Sequence, residues 1–110
     1  LMAKAVLLVH SRPSDPSRED EFNEWYDKTH VPEVCAVPGF VSARRFKLGE
    51  AAIAADPDGY PYLAIYEIDA DDPQGALKEL AERAMDGRVA MSDAIELNPP
   101  PRMTLYDALG

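Results

Sequence analysis

Stretches with two different hydrophobic periods alternate along the 110-residue chain. Short apolar or alternating runs predict β-strands over residues 4–10, 40–48, 61–69 and 102–109. Apolar residues spaced three or four apart predict one helix from about residue 16 to about residue 31, and a second over about residues 72–86. The predicted order of elements is therefore β-α-β-β-α-β.

Capping and breaking residues mark the ends of the first helix. Asp15 is one possible N-cap, with Pro16 at the first helical position, and Ser17 is the other. Pro32 is expected to end the helix near Val31, because the residue before a proline avoids the α region.

Turn residues separate the later elements in the same way. Pro38-Gly39 predicts a turn before the second strand, and Gly87 is the expected C-cap of the second helix, which starts at Asp72-Pro73. The Ala-rich stretch 50–59 ends in Asp-Pro-Asp-Gly, which predicts a long hairpin connection that could act as a lid. Simple alternation in the second strand puts two sets on opposite faces: Phe40, Ser42, Arg44, Phe46 and Leu48 on one, and Val41, Ala43, Arg45 and Lys47 on the other.

This order of elements is the split βαβ arrangement of ferredoxin-like α+β domains. Right-handed crossovers would place both helices on one face of an antiparallel sheet and leave the other face bare. That bare face must carry apolar residues, which predicts that two sheets close face to face in a homodimer, a dimeric α/β barrel. The chain length fits one domain over residues 1–110.

Composition and charge exclude several classes of partner. The chain has 11 basic and 20 acidic residues, for a net charge of −9. This balance argues against binding nucleic acid or an anionic membrane surface. No apolar run approaches the length of a membrane span, and the apolar start does not resemble a signal peptide. The single cysteine, Cys35, fits a reducing cytoplasm, so we expect a cytoplasmic protein.

The candidate chemistry lies at the end of the first helix. His30 can exchange protons near neutral pH, and Tyr26 and Asp27 lie four and three residues before it, one helical turn away. In the functional interpretation His30 is a general acid or base, Tyr26 stabilises an oxyanion and Asp27 orients the imidazole. In the alternative, His30 bonds a carbonyl at the helix C-terminus, Tyr26 fills the core and Asp27 is an exposed carboxylate.

Four further residues are candidate binding residues: Trp25, Phe22, His10 and Phe46. Trp25 is expected to be core or pocket wall, and His10 lies at a strand end, where pocket residues are frequent but idle histidines are common. A salt bridge to the acidic first helix is one expected use of Arg44 or Arg45. His30 and Glu33 form only an H-x-x-E pair, so we expect no metal site, and no cofactor-binding motif is present.

The block W-Y-x-x-x-H-x-P-E from Trp25 to Glu33, followed by Pro38-Gly39-Phe40, resembles the EthD-like family of the dimeric α/β barrels. The resemblance implies a ferredoxin-like protomer that dimerises through its sheet, with a pocket between sheet and helices. It also implies that the histidine of the block, here His30, lines that pocket. Relatives include lactone isomerases, polyketide cyclases and cofactor-free monooxygenases, so the block does not define one reaction.

Three functional hypotheses follow. The first is a cofactor-free enzyme that isomerises or cyclises a small cyclic, aromatic or polyketide-like metabolite by proton transfer through His30. The second is a non-catalytic binding or accessory protein for a small hydrophobic ligand. The third is a monooxygenase, cofactor-free or haem-linked, with His30 as axial ligand.

Overall fold

The computed structural model describes residues 4–50 and 59–110. The strands are β1 (Ala5–Ser11), β2 (Phe40–Lys47), β3 (Tyr62–Ile68) and β4 (Arg102–Asp107). A 3₁₀ turn (Pro16–Arg18) precedes α1 (Glu19–Trp25), which runs through a π-helical turn (Tyr26–His30) into α2 (Val31–Cys35); α3 is Pro73–Asp86. The hairpin connection and possible lid predicted around residues 50–59 lie mostly outside the described residues.

The four strands form one antiparallel sheet in the order β2-β3-β1-β4. β2, which follows the first helical segment, pairs with β3 at one edge of the sheet. β4, which follows α3, pairs with β1 at the other edge. This is the ferredoxin-like connection that the sequence predicted. The α+β class and the β-α-β-β-α-β order are therefore confirmed. None of the helices in the described part of the chain is long and apolar enough to cross a membrane.

All the described helices lie on one face of the sheet, which we call the inner face; the opposite one is the outer face. Alternate residues of β1 and β3 point inward and are buried: Ala5, Leu7, Val9, Ser11, Tyr62, Ala64, Tyr66 and Ile68. They pack against Phe22, Tyr26, Val34 and Val37 of the first helical segment and against Ala76 and Leu80 of α3. The core therefore lies between the inner face and the helices.

Pro32 does not end the first helix, contrary to the prediction. The N–H of Val31 donates to the carbonyl of Tyr26, five residues back, which widens the helix into a π turn. Pro32 then occupies the first turn of α2, where a missing N–H is tolerated. The helix therefore continues to Cys35 because the wider turn changes the backbone that the proline ring meets.

A β-bulge between Phe40 and Ser42 puts Phe40 on the opposite face of β2 from the one predicted. The extra residue moves Phe40 to the inner face, where it is buried. Ala43 and Arg45 follow on the same face and are partly buried. The side chains of Ser42, Arg44 and Phe46 stay on the outer face. Simple alternation failed here because a bulge shifts the phase of every residue on one side of it.

The predicted caps are present. Asp15 accepts a hydrogen bond from the Ser17 N–H at 2.9 Å, with Pro16 directly after it. Gly87 ends α3 in the left-handed conformation, at φ 87°. Gly39 has φ 99°, and a Cβ there would lie 3.0 Å from Cβ of Ala70, so the turn into β2 needs glycine on two grounds.

Candidate functional site

A cavity of about 540 Å³ separates α3 from the strands β1 and β4 of the inner face. Most of its lining is apolar and comes from β1, β4, α3 and the connection that leads from α3 to β4: Leu7, Val9, Leu77, Leu80, Val89, Ile95, Pro101, Met103 and Leu105. Met91, Leu97 and Met103 also line it and are about half exposed. The cavity is therefore open on the side of the α3–β4 connection.

Among the described residues that line this cavity, three have polar side-chain groups: Tyr26, His30 and Tyr66. Tyr26 and His30 begin and end the π turn, and Tyr66 reaches the same place from the centre of β3. The cavity therefore has one polar end, on the side of the π turn, and one apolar end, between α3 and β4. A ligand that fills it would present one polar group to the three side chains.

The π turn holds its aromatic side chains in close contact. The rings of Tyr26 and His30 meet edge to face, with centroids 5.0 Å apart. On its other side, His30 stacks on Trp25 at 4.7 Å and an interplanar angle of 30°. π turns are rare in proteins, and those that occur are often found at functional sites. This one fixes the imidazole between two rings while leaving it at the cavity.

His30 is neutral near pH 7. Burial lowers its pKa from 6.5 to about 4; Arg45 adds to the lowering, and Glu33 opposes it. The Nδ1 atom is buried and has no hydrogen-bond partner among the described residues, so no acceptor at this nitrogen supports the imidazolium form. The apolar surroundings therefore dominate and keep the imidazole unprotonated at neutral pH.

The two tyrosines are also neutral. Burial is the main cause that raises the pKa of both hydroxyls, with each ring influencing the other. Ser11 lies close enough to affect the hydroxyl of Tyr26. The hydroxyl of Tyr66 is buried and has no well-aligned hydrogen-bond partner among the described residues. The nearest acceptor for this phenol is the Tyr26 hydroxyl, with which it interacts in a poorly aligned geometry, so a ligand oxygen would satisfy the Tyr66 donor better.

The carboxylate of Asp27 pairs with Arg45. Its Oδ1 accepts a hydrogen bond from Arg45 at 2.8 Å, and its side chain is 63% exposed. The predicted salt bridge between the second strand and the acidic helix is therefore confirmed, with Arg45 as its cation. The carboxylate that influences the pKa of His30 is Glu33.

The four predicted binding residues do not line the cavity. Trp25 backs the imidazole, and Phe22 is fully buried against Tyr26 and Tyr62. His10 and Phe46 lie on the outer face, by their register in β1 and β2. The structure therefore brings together two of the seven predicted site residues at the cavity, with two more directly behind them.

Sequence reasoning missed Tyr66 and Glu33 as site residues. Tyr66 belongs to the inward set of β3, so its period-2 position beside Ala64 and Ile68 was the available signal. Glu33 accepts a hydrogen bond from the N–H of Ala90 at 2.8 Å, which ties α2 to the connection that lines the cavity. No sequence pattern marks that contact, because it joins residues 57 positions apart.

Among residues 4–50 and 59–110, no group of three His, Cys, Asp or Glu side chains could hold a metal ion. The haem hypothesis also fits the residues poorly. In the described part of the chain, no lysine or arginine that could meet the propionates lines the cavity.

Solved structures share this fold over the full chain. An ethyl tert-butyl ether D (EthD) family protein from Bacillus halodurans C-125 has a TM-score of 0.57 at 18% identity, covering 98% of this chain and 100% of the other. An EthD-like protein from Ralstonia eutropha JMP134 has a TM-score of 0.56 at 14% identity, over 99% and 96%. A proposed monooxygenase from Shewanella loihica PV-4 has a TM-score of 0.58 at 14% identity, over 100% and 99%.

No protein-family model and no curated protein sequence matches the chain. The likeness in structure shows that the chain has the EthD-like fold, as its sequence resemblance implied. At these identities the likeness concerns the fold alone.

Proposed function

We propose that this protein is a cofactor-free enzyme that moves a proton on a small, largely apolar carbonyl compound, and so isomerises or cyclises it. The observation that carries the proposal is the convergence of His30, Tyr26 and Tyr66 at one end of an otherwise apolar cavity. An apolar cavity with a few convergent polar groups is the usual form of a small-molecule site.

In the proposed reaction, the carbonyl oxygen of the substrate accepts hydrogen bonds from the hydroxyls of Tyr26 and Tyr66. Neutral His30 takes a proton from the carbon next to the carbonyl, and the electron pair of the broken C–H bond forms the enolate. The imidazolium then returns the proton to a different carbon, which isomerises the substrate. In a cyclisation, the enolate carbon attacks a second carbonyl of the same molecule, and the proton goes to the new alkoxide. The hydroxyls stabilise the charge that develops on the oxygen.

Solvent exchange on a bicyclic ketone tests the proposal. The wild-type protein should accelerate deuterium incorporation next to the carbonyl of 2-tetralone in D₂O, followed by NMR. His30→Gln should slow exchange by about 100-fold or more, the usual contribution of a general base, and Tyr26→Phe by about 10-fold to 100-fold. His10→Gln is the matched control and should exchange like the wild type, because His10 lies on the outer face. Equal exchange by His30→Gln and the wild type would refute the mechanism.

A second candidate is a binding or accessory protein for the same kind of ligand. The low pKa of His30, about 4, favours it, because so weak a base is a less effective catalyst at neutral pH. Tight binding of 2-tetralone without any acceleration of exchange would select this candidate. Oxygen consumption with a bound phenol would select the monooxygenase hypothesis. The similarity in fold to the proposed monooxygenase from Shewanella loihica is the reason to test it.

We further propose that two copies pair through the outer faces of their sheets. Apolar side chains of β1 and β3 fill the centre of this face: Val6, Leu8, Leu63 and Ile65. Phe46 and Tyr106 flank them and are 39% and 55% exposed. A face of this kind is an aggregation risk unless a partner covers it. Sedimentation equilibrium should give the mass of a dimer for the wild type and of a monomer for Ile65→Glu; a monomeric wild type would refute the pairing.

The lone Cys35 is the basis for proposing a cytoplasmic location.

A further inference from the structure

Arg45 is held in one place by two hydrogen bonds. One guanidinium nitrogen donates to Oδ1 of Asp27 at 2.8 Å, and another donates to Oδ1 of Asn23 at 2.9 Å. The side chain is only 14% exposed, although it carries a full charge. Asn23 in turn donates from its Nδ2 to the hydroxyl of Tyr62 at 3.1 Å. The guanidinium therefore sits in a fixed position between β2 and the first helix.

This position is directly over the ring of Tyr26. The central carbon of the guanidinium lies 4.2 Å from the ring centroid of Tyr26, and 5.4 and 5.5 Å from those of Tyr62 and Phe22. All three distances fall within the range of cation–π contacts, and the contact with Tyr26 is the closest. A salt bridge to Asp27 alone would not require the cation to lie on this ring.

A cation on the face of a phenol draws electron density from it and makes its hydroxyl a stronger hydrogen-bond donor. Arg45 lowers the pKa of Tyr26, although burial outweighs it and leaves the pKa raised overall. The same charge also lowers the pKa of His30. One buried cation therefore favours two states that the site needs: a donating phenol and a neutral imidazole.

We propose that Arg45 is a positioning residue for the site: clamped by Asp27 and Asn23, it fixes the ring of Tyr26 and strengthens the Tyr26 hydroxyl as the donor to the ligand's oxygen. Arg45 does not itself line the cavity, so it acts through Tyr26. The role of the donated hydrogen bond rests on the function proposed above, whereas the effect of Arg45 on Tyr26 and His30 does not.

The other groups that face these two side chains come from every neighbouring element. Tyr26 faces Ser11 of β1, Tyr66 of β3 and His30 of its own helix. His30 faces Trp25 and Tyr26, with Glu33 as the nearby carboxylate. From α3, the cavity receives only apolar side chains. Glu33 raises the pKa of His30, and burial and Arg45 together outweigh this effect, so the pKa is lowered overall.

Arg45→Gln and Arg45→Lys separate the charge from the packing. Arg44→Gln is the matched control, because Arg44 is the adjacent residue of β2, has the same charge and contacts Phe46 on the outer face. The first readout needs no ligand: NMR titration of the His30 imidazole and the chemical shifts of the Tyr26 ring. Arg45→Gln should raise the pKa of His30 above about 4 and shift the Tyr26 ring signals. Arg45→Lys should restore both in part, and Arg44→Gln should change neither.

The second readout is a double-mutant cycle on bound 2-tetralone. Arg45→Gln should move the carbonyl stretch of the probe to higher wavenumber, as a weaker hydrogen bond requires. In a Tyr26→Phe background the same substitution should leave the carbonyl stretch unchanged, because Arg45 acts on the ligand's oxygen only through the Tyr26 hydroxyl. Thermal unfolding of each variant confirms that it is folded.

The two proposals can fail separately. If the His30 titration and the Tyr26 ring signals of Arg45→Gln match those of the wild type, the positioning role is refuted whatever the protein does with ketones. The same holds if the effect of Arg45→Gln on the carbonyl stretch persists in the Tyr26→Phe background. If 2-tetralone neither binds nor exchanges, the proposed function is refuted for this probe, while the first readout still decides the role of Arg45.

Discussion

The two faces of the sheet carry the same kinds of side chain in very different settings. Each has a histidine, an arginine and a phenylalanine beside it: His30, Arg45 and Phe22 at the inner face, and His10, Arg44 and Phe46 on the outer face. At the inner face they are packed into an aromatic cluster behind a cavity, and on the outer face they lie at a surface that no described helix covers. Residue type alone therefore does not identify the site; the side of the sheet does.

The largest expected contrast is between the two phenylalanines. Phe22→Ala should reduce the free energy of unfolding by about 3–5 kcal/mol, because a fully buried ring is lost and a cavity remains. Phe46→Ala should cost less than about 1 kcal/mol when compared in the monomeric Ile65→Glu background, since its ring is 39% exposed in the single chain. Urea unfolding measures both. Similar losses for the two variants would show that the outer face is as well packed as the inner one.

A smaller contrast is expected in the pH dependence of stability. The pKa of His30 is about 4 in the folded protein and 6.5 when unperturbed, so the unfolded chain binds a proton that the folded protein excludes. The stability that neutral His30 contributes is complete above pH 6.5 and is lost as the pH falls towards 4. The difference corresponds to roughly 3 kcal/mol in full, of which about 2 kcal/mol should be lost between pH 7.5 and pH 5.

Urea unfolding at pH 7.5 and pH 5 checks this expectation. The difference between the wild type and His30→Gln isolates the histidine, because exposed carboxylates titrate alike in both proteins. If His30→Gln loses as much stability on acidification as the wild type, the imidazole is not held neutral by the fold.

The smallest expected effect on the free energy of unfolding is that of breaking the ion pair between Asp27 and Arg45. Asp27→Asn should change the free energy of unfolding by no more than about 1 kcal/mol, because the carboxylate is 63% exposed and solvent screens its pairing with Arg45. Glu24→Gln, which loosens the exposed pair with Lys28, is the control and should change it by about 0.5 kcal/mol or less. A loss of several kcal/mol on Asp27→Asn would place the ion pair in the core.

Much of the fold followed from local patterns in the sequence. Apolar period, the Asp15 cap, the Pro38-Gly39 turn and Gly87 located the elements and their order, since each acts within a few residues. The π turn could not be predicted, because rules for proline assume an α-helical backbone before it. The bulge in β2 was equally hidden, because it depends on how that strand pairs with β3.

The sequence predicted only part of the lining of the candidate site. Spacing on one helix brought Tyr26 and His30 together, and the structure places both at the cavity. Spacing also paired Asp27 with His30, but its carboxylate meets Arg45, which arrives from another element. Tyr66 and the cavity itself depend on the distance between α3 and the sheet, and no short-range pattern encodes that distance.

The cavity joins two parts of the chain that can vary separately. Its polar end is built on a π turn and a central strand, whereas its apolar end is built from α3, the connection after it and the edge strand β4. Substitutions at Leu77, Met91 or Met103 would reshape the space for a ligand without disturbing the imidazole or the phenols. Ligand preference could therefore evolve at the apolar end while His30, Tyr26 and Tyr66 at the polar end stay unchanged.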